Sequence, residues 1–304
     1  MRSACFALTV VIAGLSAQPT RPYTKPTLIA HRGASAYAPE HTLEAYRLAI
    51  AQGADFVEPD LQVTRDGVLV CLHDTGLERT TDVRAKFPDR GREANGRKSW
   101  PVADFTLAEI QTLDAGTWFA PKFAGQKVPT FQQMIDLVKG KAGLFPETKA
   151  PDVYGRLGRD MEPRLMQVLA ANGLDKPGAD PLTPVVVQSF SADSLKQLRS
   201  KHGCKLPLVY LVGAGPAADK HTSPDGLVAV KTFADGIGPN RLAVLARPDL
   251  VADAHAAGLS VTVYTIGSRD PARQAAVKAE LVKFVRELKV DAVFTDNPDL
   301  FPRD

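Results

Sequence analysis

Asp55-Phe56-Val57-Glu58-Pro59-Asp60-Leu61-Gln62-Val63-Thr64-Arg65-Asp66-Gly67-Val68-Leu69-Val70-Cys71-Leu72-His73-Asp74 is the stretch on which the fold turns. Residues 56–64 are rich in β-branched and apolar side chains, Arg65-Asp66-Gly67 has turn chemistry, and residues 68–73 are extended again. The link from Thr64 to Val68 is too short for a parallel crossover, which takes about a dozen residues or more. The second run is therefore expected antiparallel to the first, as a hairpin arm. Side chains on a strand alternate faces, so Glu58 and Asp60 point the same way. Two carboxylates on one apolar strand repel and are costly to desolvate unless a cation stands between them. A divalent metal ion is the simplest such cation, because hard cations take carboxylate oxygens. The same alternation puts His73 at the end of its strand, on the face of Leu69 and Cys71. On this stretch alone, a solvated edge hairpin is the plain alternative.

Upstream, residues 27–31 form a short apolar strand leading into Arg32-Gly33. Pro39-Glu40-His41-Thr42 opens a helix expected to reach about Gln52, with Leu43, Tyr46, Leu48 and Ile50 as packing residues. Gly53-Ala54-Asp55 then returns the chain to the second strand. This βαβ unit asks for a parallel sheet with helices outside it. Downstream, helices are expected at 130–138, 163–171, 192–200, 248–257 and 271–288, between strands at 144–148, 185–189, 206–212, 236–238, 261–266 and 292–295. Without the arm, the strands near residues 29, 56, 144, 185, 207, 236, 261 and 292 make eight. The expected fold class is α/β, a (β/α)8 TIM barrel with a β-hairpin arm and a small insertion after the second strand. The insertion spans 79–128, where periodicity breaks down and charges and glycines gather around Trp100 and Trp118. Within it a short helix at 107–113 is expected, capped by Thr106 with Glu109 three residues on. A loop that long in a compact domain usually serves function.

A length of 304 residues suits one such barrel. The formal net charge of +3 is too small to argue for nucleic acid or a membrane surface as partner. After the first twenty residues no apolar run approaches the ~20 needed to cross a bilayer. At the N-terminus, Arg2 precedes an apolar run over 4–15, and Leu15-Ser16-Ala17 closes it with small residues. That is the layout of a secretory signal over 1–17, followed by a linker at 18–26 that Pro19, Pro22 and Pro26 keep from becoming helix. The catalytic domain is then expected over 27–304. Cys5 does not follow the small-residue pattern of a lipid-anchored signal, so a soluble exported protein is expected, periplasmic or secreted. Cys71 and Cys204 are expected to stay unpaired, Cys71 as a buried thiol in mid-strand.

In a barrel of this kind, chemistry gathers where strands end and loops begin. Those positions carry His31 and Arg32, Glu58 and Asp60, His73, Glu147 and Lys149, Gln188 to Phe190, Tyr264 and Thr265, and Asp296. Glu58, Asp60 and Glu147 make a hard-cation site for Mg2+ or Ca2+ with places left for water or a substrate oxygen. Arg32 and Lys149 are fixed positive charges suited to a phosphate, which Arg can bind bidentately. Two histidines without an obvious serine or cysteine nucleophile elbow suggest acid–base chemistry on a phosphorus ester.

The set His31-Arg32-Gly33, Pro39-Glu40-His41-Thr42, Gly53-Ala54-Asp55, Glu58-Pro59-Asp60, Asp66-Gly67, His73-Asp74 and Arg79-Thr80-Thr81 resembles the signature of glycerophosphodiester phosphodiesterases. It is closest to the periplasmic bacterial type, in which His-Thr follows Pro-Glu and a Phe-Pro-Asp-Arg occurs in the insertion, as at 87–90. Glu147-Thr148-Lys149, Gln188-Ser189-Phe190, Tyr264-Thr265 and Thr295-Asp296 extend the resemblance over nearly the whole chain beyond the signal. The resemblance implies a TIM barrel with an insertion after the His-Asp motif. It implies Glu58, Asp60 and Glu147 as ligands of one divalent ion, Ca2+ or Mg2+, and His31 and His73 as the catalytic pair. Arg32 and Lys149 match the phosphate contacts, with Phe190 and Tyr264 as further substrate contacts. Tyr264 stands where many members have Trp, so the apolar wall against glycerol is built differently here, and His41 replaces the more frequent Asn.

The implied reaction is hydrolysis of small glycerophosphodiesters, of glycerophosphocholine or glycerophosphoethanolamine type, to glycerol 3-phosphate and an alcohol. Neither nucleic acid nor stable membrane insertion is implied. One rival keeps the fold and cleaves lipid phosphodiesters with cyclisation, as lysophospholipase D or sphingomyelinase D does. That rival needs an apolar patch at the barrel mouth, and the basic insertion argues against it. A second rival, a phosphodiester-binding protein without turnover, would keep Arg32 and Lys149 but needs neither the histidines nor the carboxylates. Export is checked directly: mass spectrometry of protein from the native host is expected to give a mature N-terminus near Gln18. An intact Met1 in a soluble cytoplasmic fraction would contradict it.

Overall fold

Two prolines mark the strand pair that closes the sheet. A computed structural model describes residues 23–94 and 96–303; the signal expected over 1–17 and residues 18–22 of the linker lie outside the described residues. Strand β1 (Thr27–His31) runs parallel to β2 (Phe56–Glu58), with His31 opposite Glu58. Past Pro59 the same run continues as β3 (Asp60–Val63), turns at Gly67 (φ +85°) and returns as β4 (Leu69–Cys71), antiparallel to β3. The hairpin arm is therefore present, though β4 is shorter than expected. The insertion carries a small antiparallel hairpin of β5 (Arg92–Ala94) and β6 (Arg97–Ser99). Strands β7 (Gly143–Leu144) and β8 (Glu147–Thr148) are one run interrupted at Pro146. The remaining strands are β9 (Val187–Ser189), β10 (Leu208–Val212), β11 (Gly236–Pro239), β12 (Ser260–Ile266) and β13 (Ala292–Thr295).

From β8 the parallel pairing passes through β9, β10, β11, β12 and β13 to β1, and from β1 to β2. Because β2 pairs with β7 and β3 with β8, the two ends of the sheet are halves of the same neighbouring runs, and the sheet closes on itself. The amides of Gly143, Phe145 and Glu147 donate to the carbonyls of Asp55, Val57 and Pro59 at 2.8, 3.0 and 2.9 Å. This ladder asks neither proline for the N–H it lacks, which is how prolines are tolerated inside a sheet. The result is the expected eight-stranded parallel barrel.

Helices cover the outside. The first, Leu43–Ala51, is capped by Thr42, whose Oγ1 accepts from the Ala45 amide at 3.2 Å. It buries Ala45, Tyr46 and Ala49, whereas Leu43, Leu48 and Ile50 are only part-buried: small residues allow the close approach to the barrel. Inside the barrel Phe56, Phe145 and Phe294 meet edge to face, at centroid distances of 5.9 and 5.2 Å. Tyr23 packs beneath Phe56, and its hydroxyl lies 2.9 Å from Thr262 Oγ1. This apolar plug fills the barrel below its polar rim. Cys71 and Cys204 are free and buried. Among the described residues, no helix is long and apolar enough to cross a membrane.

The stretch after the arm is more ordered than its sequence suggested. Leu77, Val83, Trp100, Val102, Phe105, Ile110 and Leu113 form a second core, which Val70 and Leu72 of the arm join. Trp100 is 3% exposed, and its indole N–H donates to the Phe87 carbonyl at 2.7 Å. The expected capping box of Thr106 and Glu109 is formed, but the α-helix it starts ends at Ile110 rather than Leu113. Truncating Trp100 to Ala is expected to cost about 3–5 kcal/mol where it packs. Since that core is separate from the barrel's, the loss should be local. Limited proteolysis of Trp100→Ala should cut within 79–128, while the barrel's thermal transition by circular dichroism stays near that of the parent chain.

Candidate active site

The strand register builds the site. His31 sits opposite Glu58, Asp60 opposite Glu147, and Glu147 opposite Gln188, so neighbouring side chains from β1, β2/β3, β8 and β9 arrive on one rim. His31, Arg32, Glu58, Asp60, His73, Glu147, Lys149, Phe190 and Tyr264 all line a single pocket of about 310 Å³. One placement differs from strict alternation. Cys71 faces the outer layer with Tyr46, while His73 lines the pocket, because the chain bends after β4 instead of staying extended.

Glu58, Asp60 and Glu147 are buried, and each offers a carboxylate oxygen within 4.8 Å of the others. Burial, reinforced by the neighbouring Asp60 charge, pushes the Glu58 and Glu147 carboxyls well above the ordinary range. Asp60 goes the other way: burial would raise it, but the Lys149 ammonium, the His41 hydrogen bond and the Arg32 charge together hold it well below. Lys149 Nζ lies 3.1 Å from Glu147 Oε1 and 3.7 Å from Asp60 Oδ1. Arg32 Nε lies 3.3 Å from Asp60 Oδ2, close enough for charge though not aligned as a hydrogen bond. The Arg32 amide donates to Glu58 Oε2 at 2.8 Å, and the Gln188 amide nitrogen lies 3.3 Å from Glu58 Oε1. The buried Gln188 Oε1 has no partner among the described residues. Three converging hard oxygen donors, two of them held well above the usual carboxylate range by burial and by the neighbouring Asp60, and an unpaired buried oxygen beside them fit a divalent cation.

Each pocket histidine is tied at one nitrogen. His31 Nδ1 donates to Asp296 Oδ1 at 2.7 Å, and Asp296 is also 2.9 Å from the Ser35 hydroxyl. Although burial opposes it, the His31 and Ser35 hydrogen bonds hold the Asp296 carboxyl low. His73 Nδ1 donates to Asp74 Oδ1 at 2.6 Å, the leading reason why Asp74 is held far below its usual range. A carboxylate acceptor fixes the Nδ1–H tautomer and leaves Nε2 free for proton exchange. Neither Nε2 has a partner among the described residues.

Phe190, 44% exposed, meets Tyr264 edge to face at 5.7 Å, and Lys149 Nζ stands 5.7 Å from the Phe190 ring centre. The Tyr264 hydroxyl donates to the Val212 carbonyl at 2.8 Å, so its ring is anchored as one wall of the pocket.

Several residues without an expected role prove to hold the site. His41, buried with φ +60°, lies 2.9 Å from Asp60 Oδ2 through Nε2 and 2.8 Å from the Tyr46 hydroxyl through Nδ1. Burial lowers its imidazole to about 4, so it is neutral, with the Nε2 proton donated to Asp60. Gly33 (φ +84°) follows at the turn after Arg32, where an added Cβ would come within 2.6 Å of the Ala45 backbone. Glu40 accepts from both Arg32 and Arg79, and Arg79 also reaches Asp74. Pro39-Glu40-His41-Thr42 read as the start of a helix, and His73-Asp74 as a strand end. Their place in the signature set was the available signal, and of these only Asp74 adjoins a site residue in sequence.

The Glycerophosphoryl diester phosphodiesterase family matches residues 31–300. A glycerophosphodiester phosphodiesterase from Bacillus subtilis (strain 168) is 36% identical over 285 residues, covering 90% of this chain and 84% of that protein. One from Haemophilus influenzae is 35% identical over 254 residues, covering 70% and 68%. Among solved structures, a glycerophosphodiester phosphodiesterase from Agrobacterium tumefaciens superposes with a TM-score of 0.67 at 29% identity, covering 91% of this chain and 98% of that one. An Oleispira antarctica phosphodiesterase, solved in complex with the product sn-glycerol-3-phosphate, gives 0.69 at 26% identity, covering 90% and 94%. With its barrel, its rim of matched residues and these likenesses together, the chain belongs to the glycerophosphoryl diester phosphodiesterase family and is an enzyme of that class.

Proposed function

We propose that this pocket hydrolyses small glycerophosphodiesters, of glycerophosphocholine and glycerophosphoethanolamine type, to sn-glycerol 3-phosphate and the free alcohol, with one divalent ion, Ca2+ or Mg2+, as cofactor. The observation that carries the reading is two histidines, each tied at Nδ1 to its own carboxylate, in one pocket with the buried acidic triad. The glycerol 3-phosphate held by the Oleispira relative supports the product side. A volume of about 310 Å³ is at the small end for ligand pockets and suits a glycerol phosphate better than a lipid. The lipid-cleaving rival is disfavoured further, since Phe190 is the one exposed large apolar side chain in the pocket among the described residues. Export remains part of the proposal, on the layout of residues 1–17.

Glu58, Asp60 and Glu147 would hold the ion, which when bound supplies neutralising charge beside the phosphoryl oxygens. With all three carboxylates ionised, as ligands of an ion would be, they exceed the two fixed cations Arg32 and Lys149 by one negative charge. A divalent ion held there would turn that into one positive charge, matching the single negative charge of a phosphodiester. Arg32 and Lys149 bind and orient the non-bridging oxygens, both kept cationic because nearby carboxylates outweigh the cost of burial. His31, beside Arg32 on the strand end, takes a proton at Nε2 from the nucleophile, whether water or the glycerol 2-hydroxyl. His73, where the arm leads into the insertion, acts as the imidazolium: with Nδ1–H kept on Asp74, it gives its Nε2 proton to the departing alcohol oxygen and is left as the neutral Nδ1–H ring. Asp296 and Asp74 steady the imidazolium of each.

Two substitutions test this reading. Glu147→Gln keeps the size but removes a charge that offsets a cation. Calorimetric titration should show clearly weakened binding of Ca2+ or Mg2+, with activity partly recovered at high metal; an unchanged affinity would take Glu147 out of the ion site. A positioned acid or base is worth about 10²–10⁴-fold in rate, and the acid's share falls when the leaving group is good. His73→Ala should therefore lose most activity on glycerophosphocholine yet keep much of it on a nitrophenyl phosphodiester of glycerol, while His31→Ala is impaired on both. The reverse pattern would exchange the two roles.

A further inference from the structure

Asp74 is next to His73 in sequence, and adjacent side chains have no built-in reason to meet. On extended backbone they point to opposite faces. Here the chain bends over residues 73–75, and Asp74 Oδ1 comes within 2.6 Å of His73 Nδ1. Both side chains are about one-third exposed, at 34% and 35%, so packing alone does not hold them. What holds Asp74 is Arg79, whose Nε donates to Asp74 Oδ2 at 2.5 Å. The other edge of the same guanidinium is committed elsewhere: Nη1 and Nη2 donate to Glu40 Oε2 and Oε1 at 2.9 and 2.7 Å. Glu40 is nearly buried, and its Oε1 also accepts from Arg32 Nη1 at 3.0 Å. Arg32, Glu40, Arg79, Asp74 and His73 thus form one unbroken chain of charge-assisted hydrogen bonds. It runs from the loop after β1 to the bend after β4.

We propose that Arg79 is a positioning residue: it clamps Asp74 onto His73 Nδ1 and, through Glu40, fixes His73 relative to Arg32. The inference rests on the reading of His73 as the proton donor. The clamp explains why both ends stay ionised. The Glu40 carboxyl is held at about 2, because the Arg79 hydrogen bonds and the Arg32 charge outweigh its burial. It also needs the planar fork of arginine. Two edges of one guanidinium serve two carboxylates, a geometry that a lysine ammonium does not reproduce. Free of Arg79, the one-third-exposed Asp74 would turn toward water, and His73 would lose the partner that fixes its tautomer.

The test uses the full chain and four variants: Arg79→Met, Arg79→Lys, Asp74→Asn and His73→Ala. Arg79→Met is expected to lower kcat on glycerophosphocholine by roughly tenfold or more with little change in KM, and to lose far less on the nitrophenyl diester. Arg79→Lys should recover only a small part, and added guanidinium ion should restore part of the Arg79→Met rate on the natural substrate alone. Nitrogen-15 NMR of metal-free protein, at a pH where the ring is neutral, should show His73 as the Nδ1–H tautomer in the parent and as a mixture in Arg79→Met. Equal losses on both substrates, or an unaltered His73 tautomer, would overturn the inference. His73→Ala separates the two claims. If it lacks the leaving-group dependence, the donor reading of His73 fails; if it has that dependence and the Arg79 variants do not, only the clamp fails. Should Arg79→Met misfold, Asp74→Asn carries the same expectation with Arg79 left in place, and the same two outcomes decide.

Discussion

Three carboxylates buried within 4.8 Å of one another repel strongly, and much of the surrounding structure answers that repulsion. Asp60 is the pivot. His41, Arg32 and Lys149 all approach it, and their combined pull keeps it ionised while Glu58 and Glu147 are pushed toward protonation. The two cations then serve twice. They offset the acidic cluster at rest, and on the proposed mechanism they also face the substrate phosphate. A pocket assembled from unlike charges in this way is organised before a ligand arrives, which is the condition for electrostatic catalysis to cost no rearrangement.

Backbone geometry supplies the rest of that organisation. Arg32 (φ +58°) and His41 (φ +60°) are left-handed non-glycine residues, a conformation that costs free energy and persists where the surroundings hold it. They are joined directly, since the His41 amide donates to the Arg32 carbonyl at 3.0 Å. The Arg32 amide in turn is spent on Glu58. The loop after β1 is thereby folded back over the rim, so that Glu40 and His41, from the start of a helix, reach residues on the second strand. The same loop is where the helix Leu43–Ala51 packs its alanines, so fold and site share one piece of backbone.

The barrel was largely legible because its strands are short and mostly apolar, and several end in a polar residue, as at His31, Glu58, Thr148, Ser189 and Thr295; register does the remainder. Glu58, Asp60, Glu147 and Lys149 could be placed on one rim from alternation and strand order alone. Less legible were the helices Pro151–Arg156, Pro216–Thr222 and Pro224–Lys231, each of which begins with proline. Proline reads as a breaker in the interior of a helix, but at the first position its missing N–H costs nothing. Helix Arg241–Ala246 is too short for a clear apolar period. The insertion's core around Trp100 draws its members from separated positions, so no window of sequence shows it. Nor has an ionic chain such as Glu40–Arg79–Asp74 any periodic signature; its members meet only once three loops are in place.

The fixed cations carry a consequence for the end of the reaction. A phosphodiester brings one negative charge, but a phosphate monoester, with its second pKa near 6, carries about −1.5 to −2 at neutral pH. Arg32 and Lys149, both largely shielded from water, do not change between the two states. On the proposed roles they hold glycerol 3-phosphate more firmly than the ester it came from. On those roles the same charges oppose departure of the product, a step that limits turnover in many enzymes. Accumulated glycerol 3-phosphate would throttle the enzyme by occupying the pocket, tying the rate of diester breakdown to how quickly the phosphorylated glycerol is carried away.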